Sequence, residues 1–187
     1  MPTTSVQCPT RWKVFVPCSA LLLLLIVFVY LKYGKCANAL AWHCTHGNVA
    51  TAGGKKVRLP LLWWQEDSGR YDTSLFLRAL PPINAPKIVV GPALPGSVGN
   101  TDEEELKLTQ DVVLSENHSS TGQEHVSVVT VSPKAFALYC VKDEITISPR
   151  IAISHLQCNA AGVPYTYTYD GPPEHEKEAE GILSGMD

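Results

Sequence analysis

Between Val14 and Leu31 the chain reads VFVPCSALLLLLIVFVYL, with no charged residue. At 1.5 Å per residue a helix of this run is about 27 Å long, matching the hydrocarbon thickness of a thin bilayer. Pro17 falls in its first turn, where a missing backbone donor costs little. A buried core helix of the same length would carry a polar stripe, and none is present. A cleavable signal peptide competes with this reading, because Ala37 and Ala39 in ANALA offer small residues for processing. Against it, Lys32 and Lys35 separate the apolar core from that site, and the run exceeds the roughly 7–15 residues of a signal h-region. The sequence therefore divides into a cytosolic tail (1–13), a transmembrane signal anchor (14–31), a Gly- and Ala-rich stalk (32–56), an ectodomain (57–170) and a disordered acidic tail (171–187).

Charge flanks do not orient the anchor, since Arg11 and Lys13 precede it and Lys32 and Lys35 follow. Two features beyond it do. Asn117-His118-Ser119 is a glycosylation sequon in a polar, Ser-rich stretch read as a loop, and it has a chemical role only on the luminal or extracellular side. Cys36, Cys44, Cys140 and Cys158 also follow the anchor, an even number suited to disulfides in an oxidising compartment. Their pairing stays open: a Cys36–Cys44 bridge would close a small loop, and bridges from stalk to domain are the alternative. Cys8 and Cys18, on the cytosolic side, read as free thiols, with S-acylation as the alternative. The expected topology is single-pass type II with the C-terminus outside.

Charge also narrows the partners. The four basic residues before Cys36 leave 11 basic against 18 acidic residues beyond it, a net of −7 with no basic patch suited to phosphate backbones. A nucleic-acid partner is therefore not expected. His43, Cys44 and His46 supply too few ligands for a structural zinc site, so neither metal nor cofactor is expected. The run Asp102–Glu105 lacks the alternating ligands and the bending glycine of a calcium loop, and reads as a solvated loop. No G-x-S-x-G, H-E-x-x-H, phosphate loop or C-x-x-C occurs, and the chain does not read as an enzyme.

From Val57 onward short runs rich in Val, Ile, Thr and aromatic residues alternate with turn residues, among them VRLPLLWWQED, RYDTSLFLRAL, KIVVG, LKLTQDVVL, HVSVVTVS, AFALYCV, EITIS and RIAISHLQC. Turn residues recurring every 8–12 positions predict an all-β ectodomain, an antiparallel β-sandwich. Pro81, Pro82 and Pro86 forbid a helix between two of these runs and act as a strand connector. Adjacent residues on a strand face opposite ways, so one of Trp63 and Trp64 is expected in the core and the other outside. In GVPYTYTYD, Tyr165, Tyr167 and Tyr169 share one face. They form either a ledge for sugar rings or a partner protein, or a last strand packed onto its sheet.

Residues about 72–158 resemble the H-type lectin domain, a small antiparallel β-sandwich. Phe76, Pro82, Pro86, Ile88, Val90 and Gly91 match its opening strand, proline turn and second strand, and Val128, Thr130, Ala135 and Phe136 approach its later valine and Phe strands. The resemblance implies sugar contacts at Lys107, which stands where the family has an arginine, and at Asp143 in CVKDEIT, where the family has a tryptophan followed by acidic residues. Tyr165 and Tyr167 complete the ligand-binding candidates.

Two classes of function follow. In one, a membrane-anchored ectodomain, a monomer or a homo-oligomer, binds a glycan or protein receptor at the cell or particle surface. In the other, it is a non-catalytic accessory subunit of a larger membrane complex.

Overall fold

The computed structural model describes residues 12–70, 72–79, 85–119, 124–134, 136–148 and 151–187. Helix α1 (Trp12–His46) is followed by a hairpin of β1 (Val49–Ala52) and β2 (Lys55–Arg58). Then come β3 (Trp63–Asp67), β4 (Ser74–Arg78), β5 (Lys87–Pro92), α2 (Asp102–Ser119), β6 (Glu124–Val131), β7 (Leu138–Ser148), β8 (Ile151–Asn159) and β9 (Tyr165–Gly171). A 3-10 turn (Pro173–His175) leads into α3 (Glu176–Ser184).

The expected antiparallel β architecture is present in an unequal form. Strands β3-β4-β5-β9-β8-β7-β6 make one seven-stranded sheet, antiparallel at every pairing, while β1 and β2 form a separate two-stranded sheet. The hairpin and α3 cover one face of the large sheet. Ala50, Ala52 and Val57 from the hairpin, and Ala179, Ile182 and Leu183 from α3, share a buried cluster with Phe76, Ile88, Val90, Leu138, Leu156, Tyr167 and Tyr169. The hairpin turn is Gly53-Gly54, both at positive φ (56° and 74°), as a two-residue turn between twisted strands requires. A Cβ on Gly53 would meet the Tyr165 ring at 3.1 Å, so the turn must lack a side chain for that ring to lie against it.

Four parts of the chain differ from expectation. The stalk is absent as such: α1 continues through Lys35 to His46 and runs directly into the β1–β2 hairpin. Asp102–Glu105 and the LKLTQDVVL run form α2 in place of a loop and a strand. Four carboxylates in a first turn favour the helix N-terminus, and Leu, Lys, Gln and Glu are strong helix formers. The sequon consequently lies in the last turn of α2, and Asn117 is helical. The tail is ordered, because Ala179, Ile182 and Leu183 recur at i, i+3 and i+4 and bury one face of α3 in the main core.

The terminal residue extends the docking. Asp187 exchanges both backbone hydrogen bonds with Lys56 of β2, at 3.2 and 3.0 Å. Arg78 Nε donates to Glu178 Oε2 at 2.8 Å, and Lys142 Nζ meets Glu176 Oε1 at 2.7 Å, joining α3 to β4 and β7.

Trp63 and Trp64 do face opposite ways, yet both are buried, at 0% and 6% exposure. Trp63 belongs to the main core, whereas Trp64 lies beneath α1, where Cys36, Ala39 and Trp42 pack with Leu77 and Ala79. His43 Nε2 approaches the Trp63 carbonyl at 2.9 Å, tying the end of α1 to β3. Upstream, Leu21 to Val29 are all exposed, between 47% and 69%. Among the described residues no single helix is long and apolar enough to cross a membrane. Leu21–Val29 and Gly34–His46, bent by 50°, reach that length and composition only together.

Cysteine pairing is partly as expected. Cys140 and Cys158 oppose each other on β7 and β8 and form a buried disulfide, Cα–Cα 4.0 Å. Cys36 and Cys44 are free. Eight residues apart on one helix, they are separated by about 12 Å, beyond the reach of a disulfide. Cys8 lies outside the described residues.

Candidate functional site

Two concavities flank the sheet. The larger is an open polar cleft of about 570 Å³ between the β1–β2 hairpin and the β3–β4 connection. Gln65, Glu66, Asp67, Arg70 and Asp72 line it, together with the Tyr165 ring. Its walls are braced by side-chain bonds across elements. Gln65 Nε2 and Ser74 Oγ both donate to the Thr51 carbonyl at 3.1 Å, and Asp67 Oδ1 accepts from the Gly69 amide at 2.9 Å. A half-buried aromatic ring beside carboxylates, an amide and a guanidinium suits a polyhydroxylated ligand, whose CH faces stack while its hydroxyls exchange hydrogen bonds.

The second is a cavity of about 270 Å³ between α2 and the sheet face opposite the main core. Glu105, Leu108, Thr109 and Val112 recur at helical spacing along one side of α2 and form its roof. Tyr139, Val141 and Asp143 of β7, with His155, Gln157 and Asn159 of β8, form its floor, alternate residues pointing away from the core. Helix α2 is seated over this floor by its N-terminus. Thr101 Oγ1 accepts from the Glu104 amide at 3.2 Å, Glu104 Oε2 from the Asn100 amide at 2.8 Å, and buried Glu105 Oε2 from the Gly99 amide at 2.6 Å. A Cβ on Gly99 would stand 2.4 Å from the Glu105 nitrogen, so only glycine admits this approach. Burial raises the Glu105 pKa above the usual carboxylate range, and the Gly99 amide offsets that only in part.

A row of ionisable side chains runs along the same face of the sheet and reaches the floor at His155 and Asp143. Lys87 of β5 pairs with Asp170 of β9 at 3.2 Å, Asp170 accepts a hydrogen bond from His155 Nδ1, and His155 opposes Asp143 of β7. The bond from His155, reinforced by Lys87, holds the Asp170 pKa below its ordinary value. Asp143 Oδ1 is buried with no hydrogen-bond partner.

The candidate residues separate. Tyr165 lines the open cleft and Asp143 the cavity under α2. Lys107, expected on a strand, is on the exposed side of α2 and lines neither, so neither concavity brings Lys107 and Asp143 together. Tyr167 is not a ligand platform. It is enclosed in the core on the central strand of the sheet, its hydroxyl lacks a partner, and burial together with Tyr165 pushes its pKa up to about 12. Tyr169 is likewise buried and donates to the Pro172 carbonyl at 2.8 Å, so the tyrosine ledge is chiefly core packing. The cavity itself escaped the sequence reading. Its signal was Thr101-x-x-Glu104 ahead of an apolar periodicity, the spacing of a capping box at a helix start.

No family model matches this chain, and no curated protein matches its sequence. Among solved structures it is similar to a protein of Bacteroides thetaiotaomicron VPI-5482, at 13% identity and TM-score 0.45, over 73% of this chain. The chain spans 46% of that protein, less than half its length. It is also similar to cyanobacterial PsbP (CyanoP) from Synechocystis sp. PCC 6803, at 10% identity and TM-score 0.44, over 72% of this chain and 86% of that one.

Proposed function

We propose that this chain is a single-pass type II membrane glycoprotein whose antiparallel sheet domain, outside the membrane, binds a glycan in the polar cleft beside Tyr165. The observation that carries the anchor is the run Leu21–Val29, nine consecutive apolar residues all exposed. An apolar surface of that extent on every side of a helix calls for lipid around it. The buried Cys140–Cys158 bond supports an oxidising compartment for the sheet domain, and the sequon at Asn117 agrees with it. Tyr165 supports the glycan, being the one ligand-binding candidate that lies in the open cleft.

The accessory-subunit reading draws on a different observation. Cys36, Ala39 and Trp42 of α1 pack beneath Trp64, only a few helical residues beyond the apolar run. At 1.5 Å per residue, Val29 and Cys36 are about 10 Å apart along the helix. A domain held this close to its anchor faces neighbours in the membrane plane.

Full-length protein expressed in a glycosylating host tests both readings. Resistance to alkaline carbonate extraction, protease protection of the C-terminal domain in sealed vesicles, and a mobility shift on deglycosylation are the expected topological results. Release by carbonate would remove the anchor. Detergent-solubilised protein on a glycan array, beside Tyr165→Ala, then separates the functions. Glycan retention lost in the variant supports the cleft, and no retention by wild type leaves the accessory role.

A further inference from the structure

The seven-stranded sheet ends in β3 on one side and β6 on the other, and the two edges differ. At the β3 edge the Trp63 amide donates to the Pro60 carbonyl at 2.8 Å, the Trp63 carbonyl meets His43 Nε2 at 2.9 Å, and α1 packs alongside. At the β6 edge no described segment bonds to the outer side of the strand. The disulfide shows which groups point there. Cys140 and Cys158 oppose each other at a Cα–Cα distance of 4.0 Å, the close spacing of a non-hydrogen-bonded pair, so Cys140 turns its amide and carbonyl toward β6, where it opposes Val129. Val129 therefore bonds inward, and Val126, Val128 and Thr130 direct both backbone groups outward. The strand carries none of the devices that blunt an edge. Val126 to Val131, VSVVTV, holds no charge, proline or glycine, and its register with β7 is unbroken. Val128 is 38% exposed, and Thr130 is exposed beside it.

We infer that β6 is the seam of a homodimer, in which a second copy adds its own β6 antiparallel across a two-fold axis and continues the sheet. The strand fits itself. With Val128 opposite Val128, Val126 opposes Thr130, so the central pairs are β-branched and no like charges meet. A second copy also presents a strand already extended and held by β7, whereas a free peptide would have to be ordered at about 1–2 kcal/mol per residue. The seam uses no residue of the Tyr165 cleft, so dimerisation and glycan binding stand or fall separately.

The test is light scattering on detergent-solubilised full-length protein, with residue-resolved hydrogen exchange on the same samples. Wild type is expected as a dimer with a micromolar dissociation constant, as small interfaces give. The Val126, Val128 and Thr130 amides should be protected in the dimer and lose protection on dilution. Val128→Lys sets two charges opposite each other at the axis, from an exposed position, and should weaken the dimer roughly tenfold or more with an unchanged circular dichroism spectrum. Val128→Pro, which removes an outward donor and no bond to β7, should do the same. A monomeric wild type would overturn the inference and leave the edge to an extended segment of another protein. A dimer that survives Val128→Lys, or one in which those three amides stay unprotected, would overturn it equally.

Discussion

Two neighbouring rows of the seven-stranded sheet lie one residue apart and have opposite chemistry. Phe76, Ile88, Tyr169 and Leu156 oppose one another across β4, β5, β9 and β8, and each is at most 1% exposed. The next row reads Leu77, Lys87, Asp170, His155 and, on β7, Asp143. Successive side chains on a strand point to opposite faces, so a single register step moves from an apolar core sealed by the hairpin and α3 to a row on the other face that starts at Leu77 under α1 and carries ionisable groups from Lys87 to Asp143. The contrast assigns roles. One face secures the fold, which leaves the other able to hold polar groups that a core would not tolerate.

The largest expected effects lie in the sealed face. Leu156→Ala should cost about 2–5 kcal/mol, as for buried leucines generally, while Gln157→Ala, one residue on and exposed, should stay within about 0.5 kcal/mol. Urea denaturation midpoints of the two variants measure the contrast directly, and similar losses would dissolve it. Replacing the Cys140–Cys158 pair by two alanines should cost about 3 kcal/mol, for a bridge closing a loop of 18 residues. Leu183→Ala in α3 should fall in the same range as Leu156→Ala, since Leu183 is 1% exposed in the same core. Little or no loss there would mean that the C-terminal segment does not seal this face.

How far the two faces were legible follows from how local their signals are. The strands of the sealed face announce themselves through β-branched and aromatic runs between turn residues; the proline turn is also read from the sequence, but Pro81 and Pro82 lie outside the described residues. Tyr167 and Tyr169 illustrate the limit. Their common face is plain in the sequence, but that β9 lies fourth of seven strands depends on pairings with β5 and β8, remote from it in the chain. The outer face was masked because LKLTQDVVL satisfies a strand-like count while four preceding carboxylates and Thr101 tip it to a helix. The C-terminal segment was masked by composition. Its charge is that of a disordered tail, yet Ala179, Ile182, Leu183 and Met186 suffice to dock it. Lys107 shows the cost of carrying a resemblance through pattern alone, since a strand position in the family falls on a helix here.

A smaller effect sharpens the comparison at the roof of the outer cavity. Glu105→Ala removes the acceptor for the Gly99 amide and should cost about 1–3 kcal/mol, with most of the loss in the seating of α2. Glu105→Gln keeps an acceptor for that amide and removes the buried charge, so it should be neutral or stabilising near neutral pH. Hydrogen exchange of α2 amides, compared with those of β8, would show whether the loss stays on the outer face. Uniform loss in both elements would make Glu105 part of the general core.

The smallest effects are the pH terms, and they have opposite signs within one face. Asp170 is held below its ordinary pKa chiefly by the bond from His155, so its stabilisation is present above about pH 4 and fades as pH falls through its folded value. Glu105 is raised by burial, so its contribution is complete below about pH 4 and fades as pH rises through its folded value. Denaturation midpoints between about pH 2.5 and pH 8 should therefore fall on the acid side less steeply in Asp170→Asn, and on the rising side less steeply in Glu105→Gln. Neither variant should alter the slope belonging to the other, because Asp170 is bound on the sheet by His155 and Lys87 whereas Glu105 is on α2, bonded to the Gly99 amide. If both slopes changed together in either variant, Asp170 and Glu105 would belong to a single coupled titrating unit despite lying on β9 and α2.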